Sequence, residues 1–472
     1  MFVGRKNELI ELDRINRLNK ASLVVVRGRR RIGKSTLIAQ FSKNHSNFIE
    51  IQGLAPRESL TNEDQLSHFC ESMSRELKLP SLPFKNWGDA FEFLAKQISD
   101  QKTLLFFDEI SWMAQYDKDF VGHFKIAWDI HFKKCPQLML VICGSVSSWI
   151  DKNILNGTGM MGRISLNLEL KELELPLCNR FWRDKPVAAI DKLKMLTVTG
   201  GIPRYLEEID SQRDAEQNIS SLCFSPSGIL FNEFNQIFKD IFSQRADIYH
   251  RIVTELVDQK LTQLELCQRL RIEKNGTFSS YLDDLEKSGF IARDYKFNLS
   301  SGKKSKLSRY RLKDNYLRFY LKVIEPKRAS LISGALKANE VMSILPWDGL
   351  MGLQFENLVL NNLQQVVRHL EINPSTLVNA SPYFQSKTLR VEATQVDLLI
   401  QCKNTIYICE IKFIQKITTK VIDDVRSIMN KLKTSPTTSL RPVLIYAGKL
   451  EKGVSDSDFF DHLISFETLL CE

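Results

Sequence analysis

Long apolar runs are missing from this chain. Two of the longest, residues 104–107 and Leu138–Cys143, fall far short of the ~20 residues needed to cross a bilayer, so no spanning helix is expected. Residues 1–11 hold no apolar core of the about 7–15 residues that a signal peptide needs, and export is not expected. The nine cysteines are scattered, odd in number and without a C-x-x-C pair. That removes zinc-finger clusters and a disulfide framework as defaults. There is no internal repeat and no low-complexity tract. Neither sign of charge dominates: 65 Lys and Arg against 56 Asp and Glu leave +9 over 472 residues. So dilute an excess does not by itself imply a polyanion partner, although local basic clusters matter. What remains is ordinary globular usage, 43% apolar and 26% charged, which argues against a disordered or fibrous chain. At ~150 residues each, roughly three domains are expected, in a cytoplasmic protein with no membrane partner.

The first two hundred residues alternate strand-like and helical stretches. Residues 22–27, 48–51, 103–107 and 138–143 read as strands, and 34–43, 63–77 and 89–99 as helices. Runs that are apolar throughout suit strands buried on both faces of a parallel sheet. The rhythm predicts a three-layer α/β domain with helices on both faces. Residues 211–243 are helical and aromatic-rich. Over 246–313 three helices (248–256, 263–270 capped by Thr262, and 278–288 opened by Thr277 and stopped by Gly289) precede two β-prone runs, 290–297 and 308–312. That order makes a winged helix-turn-helix. A linker is expected near 325–340, then a helix over 352–369, β-prone runs at 389–393, 396–402, 406–413 and 442–446, and a helix at 420–432: a second, smaller α/β domain. The expected boundaries are 1–205 for the first domain, 206–245 for a helical connector, 246–325 for the winged helix, 326–345 for the linker and 346–472 for the last domain.

Gly28-Arg29-Arg30-Arg31-Ile32-Gly33-Lys34-Ser35 completes G-x-x-x-x-G-K-[ST], with an apolar strand ahead and a helix behind. Gly28 and Gly33 let backbone amides curl around phosphate oxygens at the positive end of the following helix, which begins with Lys34, Ser35 and Thr36. Lys34 can reach the β and γ phosphates, and Ser35 can ligate magnesium. Residues 104–107 lead into Asp108 and Glu109, a Walker B arrangement in which Asp108 holds Mg²⁺ through water and Glu109 polarises the attacking water. ATP and Mg²⁺ are the expected cofactors. Arg29, Arg30 and Arg31 read as solvated charge in the loop's variable positions.

Further residues carry a resemblance. The box Gly4-Arg5-Lys6-Asn7-Glu8-Leu9 resembles the GR-x-x-E-L element of AAA and STAND-type ATPases, which implies packing beside the adenine. Gly144-Ser145, after the fourth strand, sits where that branch keeps a polar γ-phosphate sensor. Gly200-Gly201-Ile202-Pro203-Arg204-Tyr205 is similar to the G-x-P element with which the lid closes the nucleotide pocket. Arg163 occupies the place of an arginine that meets phosphate in related ATPases; the alternative is a surface arginine. Over nearly its whole length the chain resembles the archaeal-type P-loop ATPases that carry a winged helix and a C-terminal restriction-endonuclease-like domain of unknown function. The implied fold class is a P-loop parallel sheet, a winged helix and a small α/β nuclease-like domain.

In the winged helix, Lys303, Lys304, Lys306, Arg309, Arg311 and Lys313 form a stretch without an acid, as phosphate contacts require. Against DNA binding, the recognition helix holds Asp283, Asp284 and Glu286. Near the C-terminus, Asp397, Glu410 and Lys412 fit the D…(D/E)-x-K pattern of restriction-endonuclease-like folds. If 396–402 and 405–413 form a hairpin turning at Lys403-Asn404, facing residues sum to 807, so Asp397 meets Glu410 while Lys412 shares their face. Two facing carboxylates destabilise a sheet unless a cation intervenes. The geometry would suit Mg²⁺ or Mn²⁺, with Lys412 steadying the attacking water, and Glu356 matches the upstream acid common in that superfamily. Gln395-Val396 departs from the acidic or proline residue often found there. The alternative is a salt-bridged cluster, or a nuclease fold kept as a binding module. The resulting expectation is an ATP-driven switch or motor with a nucleic-acid-directed tail, DNA or RNA as partner, and activation by a protein partner or self-association. The rivals are a non-catalytic STAND-like regulator and a DNA-binding transcription regulator with an inactive tail.

Overall fold

The computed structural model describes residues 2–57, 59–144, 147–182, 185–242, 245–387 and 392–471. The chain divides into two compact units. The first comprises Met1–Lys171 with the later segments Gln236–Ala246 and Asp283–Gly289; the second comprises Glu172–Asn235, Asp247–Leu282 and Phe290–Glu472.

The first unit is built on five parallel strands: β1 (Ser22–Gly28), β2 (Phe48–Gln52), β3 (Thr103–Asp108), β4 (Leu138–Cys143) and β5 (Ile164–Leu170), in the order β2-β3-β4-β1-β5. Every residue of β3 and β4 is buried, as the unbroken apolar runs predict for inner strands covered on both faces. Strand β5 escapes that criterion because it lies at the sheet edge, alternates, and buries only Leu170. The core joins Phe69, Phe91 and Phe107 edge-on between β3 and the helices Asn62–Leu77 and Trp87–Ile98. The first of these helices is started by a reciprocal cap between Thr61 and Asp64.

The order of elements expected over 246–313, three helices and then a hairpin, is present. Helices Ala246–Glu255, Gln263–Leu270 and Gly276–Lys287 precede the hairpin β6 (Ile291–Phe297) and β7 (Lys304–Leu312); the first residue of this series and the end of its third helix belong to the first unit. Thr262 caps the second helix. The third is capped two residues earlier than the sequence suggested, by the Asn275 side chain accepting from Phe278 N, and Gly289 ends it at φ +79°. The wing is consumed in packing: Phe297 and Leu299 share a core with Tyr383 and Val396, and Asn379 and Gln401 donate to Gly302 O and Leu299 O at 2.7 and 2.6 Å. Arg309 lies over the Phe384 ring, and Arg311 is buried against Asp294 and Asn357.

The expected linker is instead helical, with Arg328–Ile332 and Ala338–Ser343 among its elements; its small residues are good helix formers as well as linker residues. Helices Trp347–Asn361 and Leu363–His369 lead to a five-stranded sheet, β8 (Leu377–Gln385), β9 (Thr394–Cys402), β10 (Thr405–Ile417), β11 (Ser439–Leu450) and β12 (His462–Ser465), ordered β12-β11-β10-β9-β8. Helix Lys420–Lys431 crosses from β10 to its parallel neighbour β11. The strand expected at 389–393 falls mostly outside the described residues; β8 lies earlier, and β8 and β12 were both missed. The β9–β10 register is the expected one, Ile406 facing Gln401 and Cys409 facing Leu398.

Candidate nucleotide-binding site

Strand β1 delivers Gly28 at φ +143°, in register with Leu170 of β5. The loop then closes at Gly33, in the left-handed region at φ +89°, which caps helix Lys34–Ser42. The buried Lys34 turns its Nζ back into the loop and donates to Gly28 O at 3.1 Å and Arg29 O at 3.3 Å. Ser35 and Thr36 are exposed on the first turn, where helix amides carry partial positive charge. Arg29 departs from expectation: it is buried, 6% exposed, and is no solvated loop charge.

The end of β3 faces this turn. The Ser35 hydroxyl donates to Asp108 Oδ2 at 2.8 Å, which fits a shared magnesium ligation by two hard oxygen donors. Asp108 Oδ1 accepts from Glu109 N at 3.0 Å and from the Cys143 thiol at 2.6 Å. Burial, then the Asp108 charge, pushes the Cys143 thiol well above its ordinary range, so it stays a donor. Glu109 leaves the strand at φ +53° and heads the next helical turn, which carries it partly exposed at the strand end. On β2, Glu50 is held above the usual carboxylate range by burial, then by Asp108 and Glu76. Neither Cys143 nor Glu50 was picked out from sequence. Cys143 closes a buried apolar run that showed only a strand, and the place of Glu50 depends on β2 pairing with β3.

Gly4 and Arg5 both adopt positive φ. The Arg5 guanidinium donates to Ile32 O at 3.1 Å and Lys171 O at 2.7 Å, tying the amino-terminal box to the phosphate loop. Arg163 forks onto Asp129, with both bonds at 2.7 Å, which matches the surface-arginine alternative. Ser145 lies outside the described residues. Pro203 starts the short helix Pro203–Leu206 of the second unit. The preceding turn is pinned by Gly201 N donating to Glu172 and Leu173 N donating to Gly201 O.

In the second unit the expected acid set is only partly assembled. The Asp397 carboxylate accepts from Ile411 N at 3.0 Å, capping the β9–β10 ladder just past the pair Cys409 and Leu398. Burial, then Glu410, then Glu356, push its carboxyl up to about 7. Glu410 is buried and paired with Lys412 at 2.6 Å, and Glu356 is paired with Lys260 of the winged helix at 2.6 Å. Among the described residues no three His, Cys, Asp or Glu side chains converge closely enough to hold a metal. The second-metal expectation therefore does not fit the site as it is arranged. Lys260 had no local sequence signal.

The parallel sheet, the glycine-lysine turn and the acid edge opposite it define a P-loop nucleoside triphosphatase domain. More particularly, residues 2–209 match the model of the ATPase domain predominantly from Archaea. The chain is 24% identical over 367 residues to an uncharacterised protein of Methanocaldococcus jannaschii, covering 76% of each chain. A 44-residue stretch is 52% identical to an uncharacterised ATP-binding protein of the same organism, 9% of this chain and 75% of that one. A Walker-type ATPase of Pyrococcus abyssi is 18% identical, with 68% of this chain and 96% of that one covered at a TM-score of 0.47. Among the described residues no helix is long and apolar enough to cross a membrane.

Proposed function

We propose that this chain is a magnesium-dependent ATPase whose turnover switches a nucleic-acid-directed winged-helix and sheet unit. The observation that carries the reading is the Ser35–Asp108 bond at 2.8 Å beside a buried Lys34 that donates to loop carbonyls. Lys34 has donors to hand over to the β and γ phosphates, while loop amides cradle the remaining oxygens. Magnesium, when bound, supplies charge that offsets those oxygens. Ser35 and Asp108 would hold it. Cys143 and Glu109 N keep Asp108 aimed, and Glu109 accepts the proton of the attacking water.

Coupling is supported by Asp151. It accepts from Arg27, next to Gly28, at 3.0 Å, and lies 3.8 Å from Lys287 at the end of helix Gly276–Lys287, so the last strand residues before the phosphate loop and the end of that helix share one carboxylate. A groove of about 330 Å³ lined by Lys296, Lys303 and Lys433 beside Tyr383 supports phosphate-backbone contact, since clustered ammonium groups are the footprint of such partners. The wing's role in packing argues against a transcription regulator reading DNA through it. The lysine pairs on Glu356 and Glu410 favour, as second reading, a tail that binds without cleaving.

Phosphate release tests the ATPase. Lys34→Ala and Glu109→Gln are expected to fall at least about 100-fold below wild type, the usual weight of a positioned acid–base group. Equal turnover in all three proteins overturns the proposal.

A further inference from the structure

The turn joining β6 and β7 is fixed from within and from outside. Asn298 Oδ1 accepts from Ser300 N at 2.9 Å and Ser301 N at 3.0 Å, and Gly302 N donates to Asn298 O at 2.8 Å. Gly302 stands at φ +68°, where a Cβ would come 2.4 Å from Val378 Cγ1 of β8, so the turn lies close against that strand. The facing wall is tied as well. Gln385, at the end of β8, donates to Lys431 O at 3.1 Å, two residues ahead of Lys433. Between these walls runs the groove of about 330 Å³, with Lys296 on β6, Lys303 on the turn and Lys433 after helix Lys420–Lys431. No Asp or Glu lines it, and among the described residues none of these three ammonium groups pairs with a carboxylate. The neighbouring cavity that shares Lys433 differs, because there Asp423 takes Arg426 at 3.1 Å and Glu392 stands 4.0 Å from Lys431.

We propose that this groove holds the sugar-phosphate backbone of single-stranded nucleic acid, its phosphates neutralised jointly by Lys296, Lys303 and Lys433. This rests on reading the second unit as nucleic-acid-directed, and it moves the contact from the recognition helix to a surface that hairpin and tail build together. Unbalanced ammonium groups on opposed, fixed walls select a polyanion. The two rings of the groove, Phe297 and Tyr383, are 2% and 5% exposed and pack edge-on against each other, which leaves no open ring face for a base to stack on. A free nucleotide would have its base unheld, whereas a polymer is retained through successive phosphates whatever its sequence. The volume lies at the small end of ligand pockets, about 300–1,000 Å³, so one strand enters and a duplex only lies across the mouth.

The test is fluorescence anisotropy with the full chain and no nucleotide. The probes are labelled oligo-dT and oligo-rU of about 20 nucleotides, longer than the ~4–16 that one single-strand module covers, and a dA–dT duplex of equal length. The proteins are wild type, the triple variant Lys296→Gln, Lys303→Gln and Lys433→Gln, the same three positions changed to Arg, and Lys452→Gln, an exposed lysine that does not line the groove. Single-strand affinity is expected to fall at least about tenfold in the glutamine triple and to stay within about threefold in the arginine triple and in Lys452→Gln. The slope of log K against log salt is expected to shrink by about 2, at ~0.7 per phosphate contact on a single strand. Equal single-strand binding by wild type and the glutamine triple overturns the groove and leaves a nucleic-acid-directed unit standing. Tighter binding of the duplex than of either single strand overturns the choice of strand. No binding of any probe by wild type overturns the groove and the nucleic-acid reading together, while phosphate release still decides the ATPase by itself.

Discussion

Two glycines of one loop are expected to respond differently to the same methyl group. A Cβ on Gly28 would lie 2.5 Å from Leu170 O and 3.3 Å from Ile32 Cγ2 and Leu170 Cβ, at φ +143°. That oxygen belongs to β5, which pairs with β1 at this residue, and cannot retreat without opening the ladder. A Cβ on Gly33, at φ +89°, meets nothing within 4 Å. Gly33→Ala therefore carries backbone strain alone, about 1–2 kcal/mol. Gly28→Ala adds an overpacking cost of about 1–3 kcal/mol to similar strain, in total about 2–5 kcal/mol. At about 3 °C per kcal/mol for a unit of this size, the expected fall in Tm is about 3–6 °C for Gly33→Ala and about 6–15 °C for Gly28→Ala. The readout is the thermal transition of the full chain that ATP with magnesium raises. A fall for Gly28→Ala no larger than that for Gly33→Ala would refute the packing argument and the placement of β5 beside the loop.

Arg163→Ala is expected to leave ATP affinity and turnover of the isolated protein within about twofold of wild type, because its partner is the partly exposed Asp129; a collapse of turnover would restore a phosphate role. Asp397, with its carboxyl pushed up to about 7, holds a proton in the folded chain that the unfolded chain releases near its ordinary value. Stability from this group is thus full below about pH 4 and lost as pH rises through about 7. Asp397→Asn, which still accepts from Ile411 N, is expected to gain at least about 1 kcal/mol over wild type between pH 5 and pH 8, and a Tm difference that stays flat over that range would contradict the assignment.

The phosphate loop and acid edge were legible because their partners are written into the same motifs. Ser35 and Asp108 each come from a recognisable segment, and the apolar runs around them leave little choice of strand. The β9–β10 register was legible for a related reason: a tight hairpin fixes every facing pair once its turn is placed. Elsewhere, local pattern failed where tertiary context decides. Strand β5 alternates like any half-exposed segment, β12 is short, and the small residues of the expected linker serve a helix as readily as a coil. Arg29 looked solvated because nothing in its neighbours announces a buried loop.

The two acid sites differ in where their charge is balanced. Asp108 receives a hydroxyl, a thiol and an amide from the phosphate loop, the adjacent strand β4 and its own successor, so its surroundings are set once the sheet forms. Asp397 accepts from the Ile411 amide and feels two other acids, Glu410 and Glu356, and the cations that quiet those acids are Lys412 and Lys260. One is local to the motif; the other is supplied by the winged helix. A carboxylate whose compensation is local is committed to one chemistry. A carboxylate set compensated from another element depends on where that element sits.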